Sequence, residues 1–245
     1  VVIRNLNLSF PDKTQTEKDI IAKGFYKHFV DSFFEAIRLL HMKKKDLLKH
    51  FWYKNPALLE EIYKQGKSII LLLPHYGNWE WLANLELVSP YHFLAIYKPL
   101  SNKCFDSLYI RIRERFGGET VRMKNAYRKI ITYQNDHKQI ISFFLYDQRP
   151  IRTELNNWIT FFNQDTPVLL GAEKIARQTD QTVLFLKMHK IKRGRYENEF
   201  ILISDQPSKT KEMEITKKYY KTLEELLRED PMPWLWSHDR WKFTR

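Results

Sequence analysis

Cysteine and glycine are scarce in this chain. One cysteine, Cys104, among 245 residues excludes an internal disulfide framework and a cysteine-based zinc site. It suits a reducing compartment, and nothing beside it would lower a thiol pKa, which argues against a thiol nucleophile. Seven glycines form no phosphate-binding loop. His-Glu-x-x-His and Gly-x-Ser-x-Gly are also missing, which leaves zinc-peptidase and serine-hydrolase readings without support. No apolar run approaches the ~20 residues that span a bilayer, and no signal peptide is visible. Internal repeats, low-complexity tracts and Pro/Ser-rich linkers are absent too.

Negative charge is the other deficit. Against 41 Lys and Arg stand 29 Asp and Glu, a formal charge of +12. That excess points to an anionic partner: nucleic acid, a phospholipid surface, a phosphorylated substrate or an acidic carrier protein. The basic residues are spread out, with small clusters at Lys43-Lys44-Lys45 and over 187–195 that read first as solvated faces. Hydrophobic residues at 43% and aromatics at 15% supply a packed core, and the length suits one large domain.

The first 66 residues read as a helical lead. Ile21, Phe25, Phe29, Phe33 and Ile37 recur every four residues with Lys23, Lys27 and Asp31 between them, an amphipathic stripe assigned to the core, with a membrane face as the alternative. A short helix follows, with Asn55 as N-cap, Pro56 at its first position and Gly66 past its end. From 67 onward strands and helices alternate. Strands are predicted over 68–73, 92–97, 120–122, 139–146, 158–162, 182–189 and 196–204, and helices over 78–88, 101–116, 126–135, 167–178 and 211–228. Lys192-Arg193-Gly194-Arg195 reads as a hairpin turn. The pattern predicts an α/β fold: a mostly parallel central sheet flanked by helices, with one antiparallel hairpin, in a single domain behind its helical lead.

The segment His75-Tyr76-Gly77-Asn78-Trp79-Glu80 stands just past the apolar run Ile69-Ile70-Leu71-Leu72-Leu73. Open α/β folds bind ligands outside the carboxyl ends of their strands. With Glu80 in the first turn of a helix over 78–88, its carboxylate can accept a hydrogen bond from one ring nitrogen of His75. The other nitrogen is then free to take a proton from a hydroxyl. The alternative is a turn histidine and a glutamate that favours a helix N-terminus. Asp147-Gln148-Arg149-Pro150 closes another very apolar strand, in site position or as an ordinary turn. Arg111, Arg113 and Arg115 share one predicted helix, either solvated or in contact with phosphate. Trp234, Trp236 and Trp241 crowd the C-terminus among basic residues, which suits a membrane interface, an aromatic platform or packing onto the body.

In order along the chain, these landmarks resemble the bacterial lipid A biosynthesis (late) acyltransferase family. Val1-Val2-Ile3-Arg4-Asn5-Leu6 with Phe10-Pro11 looks like its opening segment, and His75 to Glu80 matches its His-x4-Asp/Glu motif. Tyr97-Lys98-Pro99-Leu100 resembles a Tyr-Arg-Pro segment, and Asp147-Gln148 an Asp-Gln pair. Phe161-Phe162-Asn163-Gln164 with Gly171-Ala172 and Ala176 resembles a Phe-Phe-Gly-Gln…Gly…Ala block, and the stretch from Trp234 to Lys242 its closing segment. The chain departs at Lys98 for Arg, Asn163 for Gly and Met232-Pro233 for Glu-Gln.

The resemblance implies an O-acyltransferase that moves a fatty acyl chain from acyl carrier protein or acyl-CoA to a hydroxyl of a lipid A precursor, with no other cofactor and no metal. It makes His75 and Glu80 the catalytic pair. Backbone N–H groups near Asn78 would bind the oxyanion, Lys98, Arg113 and Arg115 would hold phosphate, and Asp147 and Gln148 would complete the pocket. It also implies work at an anionic membrane surface, the cytoplasmic face of the bacterial inner membrane. The family's transmembrane anchor would precede Val1 and be absent from this chain. Another lipid acceptor, such as a glycerolipid, an aminolipid or a mannolipid, is the alternative within the same chemistry. A basic nucleic-acid-binding module is the rival from another class, suggested by charge alone.

Overall fold

The structure, a computed structural model, describes residues 1–243 and 245. In chain order the elements are α1 (Val2–Ser9), α2 (Gln15–Leu39), α3 (Lys44–His50), β1 (Phe51–Tyr53), α4 (Ala57–Lys64), β2 (Ile69–Leu73), a 3₁₀ helix (Trp79–Asn84), α5 (Leu85–Val88), β3 (His92–Tyr97) and α6 (Lys103–Arg113). They continue with β4 (Glu119–Arg122), α7 (Ala126–Asn135), β5 (Ile140–Leu145), β6 (Trp158–Phe161), β7 (Gln164–Pro167), α8 (Gly171–Thr179), β8 (Thr182–Lys192), β9 (Arg195–Ser204) and α9 (Glu214–Glu229).

Seven strands form one sheet in the order β1-β9-β8-β2-β5-β3-β4. Every neighbouring pair is parallel except β8 and β9, which form the expected hairpin around Gly194. β2 lies at the centre between β8 and β5, and all five of its residues are buried. A strand covered on both faces needs apolar residues at every position, which is why Ile69 to Leu73 does not alternate. Parallel pairing sets Leu73 opposite Leu145, so the chain leaves β2 and β5 side by side at the same edge of the sheet.

The structure differs from the sequence reading in five places. The helix expected over 78–88 is a 3₁₀ helix over Trp79–Asn84 that runs into the four-residue α5. β1 lies inside the helical lead and extends the sheet by pairing with β9. Asn55 does not cap α4, because its amide bonds the backbone of Phe200 instead (Nδ2 to O, and N to Oδ1, both 2.9 Å). The strand expected over 158–162 is half of a separate hairpin, β6–β7. Its turn places Phe162 and Asn163 at φ 50° and 57°, and Asn tolerates that left-handed conformation better than most residues after Gly. The α2 stripe, finally, leaves the core partway along. Ile21 and Phe25 are buried, whereas Phe29 and Phe33 are exposed. A step of four residues turns a helix by 400°, so the stripe drifts about 40° per step and walks out of the interface.

Candidate active site

His75 lies two residues beyond the end of β2, and Asp147 two residues beyond the end of β5. Because Leu73 faces Leu145 in register, these equal offsets bring the two side chains together. Asp147 Oδ1 lies 2.6 Å from His75 Nδ1, and Asp147 Oδ2 accepts the His75 backbone N–H at 2.9 Å and the Trp234 indole N–H at 2.7 Å. Burial would push the Asp147 carboxyl up, but the imidazole, the backbone N–H and the indole outweigh it and hold it below the usual carboxylate range. An ionised carboxylate only accepts, so Nδ1 carries a proton, and in the neutral ring Nε2 is the acceptor, a tautomer assigned from the hydrogen bonds. Nε2 faces the amide Nε2 of the exposed Gln148 at 3.3 Å, and Trp79 packs edge-on to the imidazole at 5.1 Å.

Glu80 does not hydrogen-bond to His75, contrary to the sequence expectation. Arg113 binds it in bidentate fashion, Nε to Oε2 at 2.8 Å and Nη2 to Oε1 at 2.6 Å, and the Trp79 indole donates to Oε1 at 3.0 Å. Those three bonds hold the carboxylate toward α6, while the sheet register supplies His75 with a different acid. Arg113 is correspondingly committed to Glu80, with the Tyr97 and Tyr109 rings 5.8 and 5.5 Å from its guanidinium. The side chains of Arg113 and Glu80 are 14% and 8% exposed, so breaking this pair leaves a charge stranded in the interior. Glu80→Ala and Arg113→Ala should each destabilise by about 3–5 kcal/mol, and the double variant by clearly less than the sum. Thermal unfolding of the four proteins measures the coupling.

Three other expected residues stand elsewhere. Arg115 follows the end of α6, packs over Phe116 at 5.1 Å and does not line the cleft around His75. The Asn78 side chain is buried and donates to Glu35 Oε2 at 2.9 Å. Its backbone N–H points to Met188 Sδ at 3.1 Å, and the N–H groups of Tyr76 and Gly77 meet the carbonyls of Pro74 and Pro233. With the His75 N–H on Asp147, every amide from 75 to 78 is occupied, so none of these is free for an oxyanion. The tryptophan cluster is interior: Trp234, Trp236 and Trp241 are all buried. Trp234 bridges to Tyr76 and Leu235 N–H bonds the His75 carbonyl at 3.0 Å, so the closing segment clamps the histidine loop from behind. Gly77 fits this clamp because its φ is +65° and an added Cβ would stand 2.2 Å from Met188 Sδ.

Two cavities adjoin, and His75 lines one of them. One, of about 410 Å³, takes in His75, Glu80, Arg113 and Gln148 and is walled largely by apolar side chains, among them Ile96, Phe143 and Phe144. The other, of about 580 Å³, shares Lys98 and Gln148 with it and adds Arg122, Lys124 and Arg149, with Glu154 as its carboxylate. Lys98, Arg122 and Lys124 are exposed and make no ion pair among the described residues. The arrangement places His75 in a cleft whose charged side chains balance, beside a second one with an excess of cations. Arg122, Lys124 and Arg149 do not stand out in the sequence as anion contacts. Nothing in their local spacing sets them apart, and only the fold gathers them.

A second histidine supports the loop. His28 of α2 meets the Gly77 carbonyl at 3.2 Å through Nε2 and the Lys190 ammonium at 2.9 Å through Nδ1. Burial, then Lys190, lowers its pKa to about 4, and burial likewise lowers His238 to about 4. An unfolded histidine titrates near about 6.5. Both folded values are depressed, so stability is fully present above that value and lost as the pH falls from about 6.5 toward about 4. His28→Gln should flatten this acid limb, as read by thermal unfolding across the same range.

The model of the bacterial lipid A biosynthesis acyltransferase family matches residues 2–243. Lipid A biosynthesis acyltransferase 2 of Shigella flexneri is 23% identical over 167 residues, which cover 67% of this chain and 52% of that protein. The lipid A biosynthesis acyltransferase of Haemophilus influenzae is 22% identical over 210 residues, 84% of this chain and 65% of its own length. The lipid A biosynthesis myristoyltransferase of Escherichia coli is 20% identical over 175 residues, 71% and 54% respectively. The matches thus span between half and two thirds of these relatives.

Proposed function

The chain belongs to the bacterial lipid A biosynthesis acyltransferase family, and from that premise we propose that it moves a fatty acyl group from a thioester carrier to a hydroxyl of a lipid A precursor. One observation carries the reading: Asp147 holds the His75 ring through Nδ1 and leaves Nε2 facing Gln148 in a cleft that adjoins a cationic cavity. The acceptor hydroxyl gives its proton to Nε2 as its oxygen attacks the thioester carbonyl. Asp147 holds the Nδ1 tautomer and balances the imidazolium. The tetrahedral intermediate then expels the carrier thiolate, which takes the proton back from Nε2, leaving an ester and a free thiol. Gln148, 3.3 Å from Nε2, is the donor we assign to the oxyanion, with Lys98 beside it. Cys104 is exposed and takes no part. Glu80 and Arg113 act as a buried clasp between the histidine loop and α6.

The wall of the His75 cleft formed by Ile96, Phe143 and Phe144 suits an acyl chain. The cationic cavity suits phosphate, on the acceptor or on the carrier arm of acyl carrier protein or coenzyme A. Removing a contact made equally in ground and transition states raises KM and spares kcat. The double variant Arg122→Ala/Lys124→Ala should therefore raise the apparent KM for a phosphorylated substrate about tenfold, with a smaller change in turnover. Steady-state kinetics with each substrate varied in turn checks this. The reaction would take place at the cytoplasmic face of the bacterial inner membrane. In cells, loss of the gene should leave an underacylated glycolipid visible by mass spectrometry, restored by the wild-type protein and not by His75→Ala. An unchanged lipid profile would contradict the proposed acceptor.

A further inference from the structure

The outward face of α2 carries large apolar side chains that the core does not use. Tyr26, Phe29, Val30, Phe33 and Phe34 are 55, 46, 52, 37 and 60% exposed. Phe105 at the start of α6 is 42% exposed, and its ring lies 6.4 Å from that of Phe33, which lies 5.7 Å from Phe34. The patch therefore runs across two helices. Scattered exposed apolar residues need no explanation, but a continuous aromatic patch marks a contact site.

Its position says what it serves. Phe29 and Phe33 wall a narrow groove whose other side is Gly77, Asn78, Trp79 and Glu80. Trp79 and Glu80 also line the cleft around His75, so the patch lies directly beside that cleft. Leu100 and Met123, which also line the cleft, are 47% and 50% exposed. The cleft thus opens beside apolar lips.

Charge supports one occupant. Helical phase sets Lys23, Lys27 and Arg38 along one flank of the aromatic face, all exposed and none in an ion pair among the described residues. Asp19 is the carboxylate on the same arc, one to two turns before Tyr26, and it accepts from Gln15 at 2.8 Å. Aromatic rings flanked by long cationic side chains match the headgroup region of an anionic bilayer, where rings enter and ammonium groups reach phosphate. We propose that the α2–α6 face docks on an anionic bilayer, so that acyl chains enter the cleft without crossing water. The docking does not depend on the transfer reaction, and its test does not read activity.

The 245-residue chain is co-sedimented with phosphatidylcholine vesicles, with and without phosphatidylglycerol, across a salt series. Charge attraction fades once the Debye length shrinks, but apolar insertion is not screened. The wild type should bind phosphatidylglycerol vesicles more tightly and keep part of that binding at high salt. The variant Phe29→Ser/Phe34→Ser should lose the salt-resistant part, weakening by roughly tenfold for each ring removed. Its melting temperature should not fall, because both rings are exposed. Wild-type binding that vanishes with salt, or a variant that binds like the wild type, would overturn the proposal. So would a wild-type dimer that the variant breaks on gel filtration, since the face would then belong to a second copy.

Discussion

His75→Ala is expected to leave a folded protein whose acyl-transfer turnover is lower by about 10²–10⁴. The ring can be removed without releasing the loop. The His75 backbone donates to Asp147 and accepts from Leu235, and neither bond involves the imidazole. The loss should fall on kcat rather than KM, because the proton moves only as the carbonyl is attacked. Steady-state kinetics with a saturating acyl donor measures it, with circular dichroism to confirm the fold. Near-normal turnover would remove His75 from the chemistry.

Asp147→Asn should cost about as much, up to ~10⁴ in turnover, for a different reason. The carboxylate accepts three N–H donors: the His75 ring, the His75 backbone and the Trp234 indole. An amide in its place turns an N–H₂ toward one of them. If it faces the ring, it hydrogen-bonds Nδ1 and moves the proton to Nε2, where no base remains. If it faces Trp234 and the backbone, two donors lose their acceptor and stability falls by about 1–3 kcal/mol for each. Glu80→Gln should reduce turnover less, since Glu80 reaches His75 through Trp79, whose indole N–H it accepts and whose ring packs on the imidazole. A Glu80→Gln variant slower than Asp147→Asn, at equal stability, would return the acid's role to Glu80.

Much of this architecture is legible in the sequence. Ile69 to Leu73 and Ile140 to Leu145 read as buried strands because both faces of a parallel sheet demand apolar residues. His75 and Asp147 both read as strand-end residues for the same reason. What the sequence does not reveal is that β2 and β5 are neighbours, since β3 and β4 come between them in the chain. Without that order, the carboxylate closer in sequence, Glu80, looks like the partner of His75. Arg113 was visible as a cation but not as one already bound, because its partner lies 33 residues away. The tryptophans were ambiguous for a related reason: an amphipathic ring fits a membrane edge or a buried hydrogen bond, and Trp234 has the latter in Asp147. Phe29 and Phe33 misled in the opposite direction, since a four-residue repeat looks like one face until its drift is followed along the helix.

The central claim is that this chain makes an ester on a phosphorylated glycolipid with His75 as the base. The measurement that tests it most directly is mass spectrometry of the acceptor after incubating the purified chain with an acyl thioester and a phosphorylated glucosamine-disaccharide lipid. The wild type should add one acyl chain to the acceptor and release one free thiol per ester formed, and His75→Ala should do neither at a comparable rate. Thiol release without an acylated lipid, or equal product from both proteins, would contradict the account.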